Sequence, residues 1–130
     1  MTEQEYSAWL NIASYDVDTI SLLKKENGNP SIIIYHMHQA IEKLLKALEV
    51  KRGKAIVKTH NLKMLFDSVR GDFAALESVK ESIIDLHSYL PRIRYPLAEN
   101  LTAEDLNDCY LWYTNIKKVL DQIIIKTEDH

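Results

Sequence analysis

Three short stretches of the chain bring together residue types that bind phosphate or move protons. In the first, His38 and Glu42 are four residues apart, as are Gln39 and Lys43, and Lys46 follows Glu42 by the same step. On a helix this spacing collects an acid or base, an amide and two cations on one face. A solvated helix face with a Glu42–Lys46 ion pair worth a few tenths of a kcal/mol produces the same pattern. The second stretch is Lys58-Thr59-His60-Asn61, placed where a helix begins. The free backbone N–H groups of a helix start, with a lysine and a histidine beside them, suit a phosphate. Capping by Thr59 or Asn61 explains the same residues without a ligand. The third runs Pro91-Arg92-Ile93-Arg94-Tyr95-Pro96. Two arginines and a tyrosine held between prolines point to phosphate, which the planar guanidinium fork meets bidentately. The competing role is structural, with Arg94 paired to a carboxylate at the end of the fold and Tyr95 packed.

Charge adds to this pattern locally and not globally. The 16 lysines and arginines and 19 acidic residues give a net charge of −3, which provides no chain-wide attraction to nucleic acid or to an anionic membrane. Between Lys43 and Lys63, however, seven cations (Lys43, Lys46, Lys51, Arg52, Lys54, Lys58 and Lys63) face only Glu49. A lysine-rich solvated surface and a phosphate-facing patch both account for that run. No metal site is expected: Cys109 is the single cysteine, and His36 and His38, two residues apart, point to different sides of a helix. No glycine-rich phosphate loop is present. No catalytic residue and no cofactor is assigned. No apolar run, that from Ile32 to Tyr35 included, comes near the roughly 18 to 20 residues of a membrane span, and the first residues are acidic without an apolar core. The expectation is a soluble, cytoplasmic protein without a membrane partner.

The elements that position these residues are all helical. Only 3 glycines and 3 prolines in 130 residues leave few turns, so elements are long. Tyr6, Trp9, Leu10, Ala13, Val17 and Ile20 lay one stripe along a first helix from Thr2 to Lys25, which Asn27-Gly28 stops. Trp9 and Tyr6 are expected to pack in the core or at an interface. Asn29-Pro30 reads as a cap with proline in the first turn. The second helix then buries Ile33, Ile34, Met37, Ala40, Ile41, Leu44, Leu45, Ala47 and Leu48 and turns Tyr35, His38, Gln39, Glu42, Lys43 and Lys46 outward. A loop over 51–59 leads to a short helix over 61–69, and Gly71-Asp72 is expected to end it and cap the next. A fourth helix carries Leu76, Val79, Ile83, Leu86 and Leu90 and is stopped by Pro91, so that residues 91–96 form a rigid connector. Thr102 and Asp105 have capping-box spacing before a last helix with Leu106, Cys109, Tyr110, Tyr113, Ile116, Leu120 and Ile123 facing in. The predicted fold is an all-α, up-and-down antiparallel bundle of four long helices plus one short one. It forms a single domain over residues 1–126 with a frayed tail at 127–130.

Taken together, the chain resembles the HEPN family, small helical domains of prokaryotes and higher eukaryotes. The resemblance is carried by Trp9-Leu10 with Ala13 and Asp16, by His38-Gln39-Ala40-Ile41-Glu42-Lys43-Leu44-Leu45-Lys46-Ala47, by Lys58-Thr59-His60-Asn61-Leu62 and by Arg94-Tyr95-Pro96. It implies a helical bundle, usually a homodimer, with a role tied to nucleotides or RNA. Many members stand beside a minimal nucleotidyltransferase as toxin and antitoxin, and many are metal-independent ribonucleases that use an arginine followed, after a short gap, by a histidine. Here Arg94 is followed by Tyr95 through Leu101 without a histidine, and Arg52 lies too far before His60. The expected role is therefore nucleotide or RNA-phosphate binding by Lys43 and Arg94, with Lys46, His60 and Arg92 as further contacts and Tyr95 stacking on a base. Two alternatives stand beside it: a protein-interaction module without a ligand, and a ribonuclease in which His38 or His60 is brought to Arg94 by folding.

Overall fold

The computed structural model describes residues 3–94 and 100–128, without the side chains of Arg94 and Glu128. Six α-helices follow one another: α1 (Glu3–Lys25), α2 (Pro30–Lys51), α3 (Leu62–Val69), α4 (Lys80–His87), α5 (Leu90–Arg94) and α6 (Ala103–Glu128), with a 3-10 turn over Ala74–Val79 before α4. No strand occurs among the described residues. The boundaries obey local chemistry. Asn27 takes the left-handed φ of 55° that ends α1, and Gly28 sits so close to Leu23 that a Cβ would lie 3.1 Å from that side chain. The Asn29 side chain accepts the Ser31 N–H at 2.8 Å, with Pro30 in the first turn. Thr102 and Asp105 satisfy each other's backbone N–H groups, at 2.8 and 3.1 Å, in a complete capping box.

α2 is the central helix, touching α1, α3, α5 and α6, and this position explains where the expected arcs fail. Its apolar arc is buried throughout, but so are His38, Glu42 and Lys46, which the spacing alone placed outward. A helix covered on several sides has too little free circumference left for a solvated polar face. The outward positions that remain are Tyr35, which is exposed, and Gln39 and Lys43, which are partly so.

The predicted fourth helix is three pieces. Its apolar residues Leu76, Val79, Ile83 and Leu86 are buried as expected, but the chain runs through the 3-10 turn, α4 and then α5. Pro91 is not what ends α4, which stops at His87, with the Tyr89 N–H already turned to the Leu86 carbonyl at 3.2 Å. It sits in the first turn of α5, where its missing N–H is not needed. Residues 91–94 are thus helical and not an extended connector; Tyr95 and Pro96 lie outside the described residues. Asp72 does not cap the next element, whose N-cap is Phe73; its carboxylate is instead 2.8 Å from Lys54 and 3.5 Å from Arg52. α6 continues through Glu128, past the expected end at 126, with the Thr127 hydroxyl donating to the Ile124 carbonyl at 2.8 Å. Thr2, where the first helix was expected to begin, lies outside the described residues.

Candidate functional site

The second half of α2 and the loop over 52–61 meet around one carboxylate. Glu42 is 3% exposed. One of its oxygens accepts from the Lys46 ammonium at 3.1 Å, and the other is 2.9 Å from Nδ1 of His60. That contact holds the ring by Nδ1 on an imidazole whose side chain is half exposed. The Lys46 ammonium also lies 5.5 Å from the centroid of the Trp9 ring, so α1 closes the other side. Between them is a cavity of about 450 Å³ walled by Trp9, Lys46, Ile56, Lys58, Thr59 and His60. Its volume falls in the usual range for small-molecule sites, and its lining has the usual character of an apolar wall with a few convergent polar groups. On its other side, His60 shares a smaller space of about 150 Å³ with Tyr35, Gln39 and Leu90, the first residue of α5.

The loop that carries Lys58, Thr59 and His60 is anchored at several points. The Glu49 carbonyl accepts the Lys54 N–H at 2.9 Å, and its fully buried carboxylate takes the Ser68 hydroxyl at 2.8 Å and a bond from the Val57 backbone. Lys54 reaches the Ser68 carbonyl at 2.6 Å. Asn61 caps α3 by accepting the Met64 N–H at 3.1 Å, while the Thr59 hydroxyl accepts the Asn61 N–H at 3.0 Å. The expected capping therefore occurs, and it holds His60 in place.

Burial pushes the Glu49 carboxyl above its usual range, against the opposing pull of Ser68, Val57, Lys46 and Lys54, and one of its oxygens has no hydrogen-bond partner. A folded-state value raised above the unfolded one gives a contribution to stability that is present in acid and is lost as pH rises through the raised value. Glu49→Gln removes that titration. The stability difference between wild type and Glu49→Gln, from urea midpoints between about pH 4 and pH 7, is expected to move against the wild type as pH rises. A difference independent of pH would contradict this.

A family model, the HEPN domain, matches residues 6–123. The chain belongs to the HEPN family. No curated protein and no solved structure matches the chain significantly. At family level the HEPN domain is tied to nucleotides or RNA. No helix among the described residues is long and apolar enough to cross a membrane, and no group of three or more potential metal ligands gathers there.

Of the site residues expected from sequence, this HEPN fold brings Lys46 and His60 together. Lys43 is drawn to the other side of α2, where its ammonium lies 2.6 Å from the buried Asp16 carboxylate, which also meets His36 at 2.8 Å. Arg92 covers the Tyr89 ring at 4.7 Å and approaches Asp105 at 3.7 Å, so it joins α5 to the start of α6. The Arg94 backbone is in α5; its side chain and Tyr95 lie outside what is described. His38 packs in the interior with its ring 6.0 Å from that of His87, whose imidazole is held below its usual range by burial. Cys109 is fully buried and its thiol is pushed up to about 12, the state of an inert core residue. Sequence reasoning missed two contributors. Trp9 was expected to serve packing alone, and Glu49 was only a lone negative charge in a basic run. Lys58 lay inside a recognised motif but outside the expected contact set.

Proposed function

We propose that this HEPN domain binds a nucleotide or RNA phosphate in the cavity between α1, α2 and the loop over 52–61. The observation that carries this is the gathering of Lys46, Lys58 and His60 around one cavity that the Trp9 indole also lines, with the Lys46 ammonium 5.5 Å from the centroid of that ring. Such a site needs cations and hydrogen-bond donors on one side and a flat apolar surface on the other. Lys43 and Arg92, engaged with Asp16 and Asp105 and not among the residues lining this cavity, leave the contact set, whereas Lys46, though paired with Glu42, lines it. Arg94 stays in it as a proposed phosphate contact and Tyr95 as a proposed base-stacking residue; the Arg94 backbone follows Leu90 by one turn of α5, and Leu90 and His60 line the same small space. The domain acts as a homodimer, in keeping with the family's habit, and its protein partner is a minimal nucleotidyltransferase in a toxin–antitoxin pair. A cytoplasmic location fits that role.

Thermal unfolding with nucleoside mono-, di- and triphosphates tests the reading. A ligand that binds only the folded state adds about 2.7 kcal/mol at a hundred times its dissociation constant, a rise of about 10 °C for a domain of this size. Lys58→Ala, at an exposed position, is expected to abolish most of the rise without lowering the ligand-free midpoint. If no nucleotide and no RNA shifts the midpoint at millimolar concentration, the reading fails. The alternative of a protein-interaction module is favoured by one observation: Ile12, Tyr15 and Leu22 on α1 are 39%, 59% and 60% exposed. A stoichiometric complex without any nucleotide response is the outcome that supports it.

A further inference from the structure

α1 carries two stripes of residues at helical spacing, and its own chain covers only one. Tyr6, Ala13 and Ile20 are buried against the rest of the bundle. Ala8, Ile12, Tyr15, Thr19 and Leu22 repeat at intervals of four, three, four and three residues, the spacing of a helix-to-helix seam, and the three largest of them stay exposed. Beside this second stripe runs the crease between α1 and α2. Asp16 closes it, with its carboxylate 2.8 Å from His36 and 2.6 Å from Lys43. Across the crease, the Tyr35 ring stands edge to face on that of His36 with 5.4 Å between centroids, and Ile32 lies one turn before His36. Tyr35 and Ile32 are 41% and 50% exposed. The two helices thus present one apolar face. It holds five of the nine large hydrophobic side chains exposed among the described residues, a concentration that marks a contact surface and not scattered exposure.

Charge decides what fits this face. α1 has Glu3 and Glu5 in its first turn and Lys24 and Lys25 in its last. A copy of α1 lying antiparallel brings each acidic end over the basic end of the other, whereas a parallel copy sets like charge on like. Both ends have charge to offer, since Glu3 keeps 81% of its side chain in solvent beside Lys51 and Lys25 is exposed. The antiparallel arrangement is what a two-fold axis perpendicular to the helix produces, and it lets the same patch serve both copies. With that axis between Ile12 and Tyr15, Ile12 of one copy packs on Tyr15 of the other, and Ala8 on Thr19. Asn11 and Asp18, an amide and a carboxylate, then border the seam opposite each other.

We infer that this face is where two copies of the chain meet, α1 against α1 in antiparallel sense, with Ile32 and Tyr35 of α2 widening the contact. The inference rests on the homodimer in the reading above and gives that dimer its surface. It assigns to a second copy the exposed α1 residues that otherwise favour a different protein.

The test is sedimentation of the full chain, with Tyr15→Glu and Leu111→Glu as a matched pair: Tyr15 on α1 and Leu111 on α6 are 59% and 58% exposed. The wild type is expected to be a dimer. Tyr15→Glu, which counts twice across a two-fold axis, should raise the dissociation constant about thirtyfold or more while circular dichroism still shows a folded helical chain. Leu111→Glu should change it less than about threefold. Ala8→Cys and Thr19→Cys read the direction, because Cys109 is fully buried and stays out of the reaction. Mixed and mildly oxidised, these two variants should give a disulfide-linked dimer that neither gives alone. A wild type that stays monomeric up to about 1 mM overturns the inference together with the homodimer and leaves the face to a different protein. Phosphate binding is read separately, by the thermal unfolding above. A dimer that survives Tyr15→Glu, or that Leu111→Glu breaks equally, overturns the face and keeps the homodimer. Cross-links within each cysteine variant alone, or none in the mixture, overturn the antiparallel arrangement.

Discussion

Replacing Glu42 by alanine is expected to lower the folding stability by about 3 kcal/mol, as removing one partner of a buried ion pair does. The reason lies in what is left behind. Glu42 and Lys46 have side chains only 4% and 11% exposed, so the Lys46 ammonium, held at 3.1 Å, has little water to replace the lost carboxylate. His60 escapes more easily, because half of its side chain is already in solvent. The penalty thus falls mainly on Lys46 and belongs at the lower end of what a fully buried pair costs when broken. Replacing both partners, Glu42→Leu with Lys46→Met, is expected to recover most of the loss, because a buried pair has paid for its own desolvation and an apolar pair of similar size has not. Urea denaturation of the two single variants and the double variant measures this directly. A Glu42→Ala cost below about 1 kcal/mol would mean that the pair is solvated and that Glu42 does not hold Lys46 and His60 at the cavity.

The same pair shows how far the sequence could be read. Four-residue spacing identified the Glu42–Lys46 contact correctly, because it depends only on helix geometry. It could not show that the contact is buried, because that depends on α1, α3, α5 and α6 arriving around α2 from distant parts of the chain. The helices were legible wherever one apolar stripe met one boundary signal, as at Asn27 to Pro30 and at Thr102 with Asp105. The segment from Leu76 to Arg94 kept its apolar stripe and lost its continuity. Periodicity records which side chains are buried and says little about whether the backbone turns between them.

For the candidate site, the informative contacts join residues 18 and 19 apart in sequence, Glu42 to His60 and Glu49 to Ser68, or bring Lys46 over Trp9 from another helix. No local pattern encodes such pairs. That is why His60 and Lys46 were identified singly, why Trp9 was assigned to packing, and why Lys43 was credited with a ligand when its partner is Asp16. The charge run misled for a related reason. Most of its counter-charges, Glu3, Asp16 and Asp72, are scattered through the chain and converge only on folding, whereas Asp67 is one helical turn from Lys63.

Phe66→Ala is expected to be the most damaging of the substitutions considered, at about 3 to 5 kcal/mol. Phe66 is fully buried and among the larger side chains of the core, and Arg70 lies 5.3 Å from the centroid of its ring, closing it off from solvent. Its helix has little independent reason to exist. α3 is 8 residues long, well below the length at which an isolated helix holds in water, so its helicity depends on docking Leu62, Leu65, Phe66 and Val69. Loss of the ring removes a large share of that docking. Because Lys54 donates to the Ser68 carbonyl and the Asn61 side chain accepts the Met64 N–H, the loop over 52–61 is tied to α3, and the damage passes to the loop that presents Lys58 and His60. The variant should therefore lose its nucleotide response even at temperatures where circular dichroism still shows a folded chain. Met64→Ala, on the exposed side of the same helix, should change stability by no more than about 0.5 kcal/mol and leave the ligand response intact. Equal effects of the two substitutions would show that α3 is not what holds the loop.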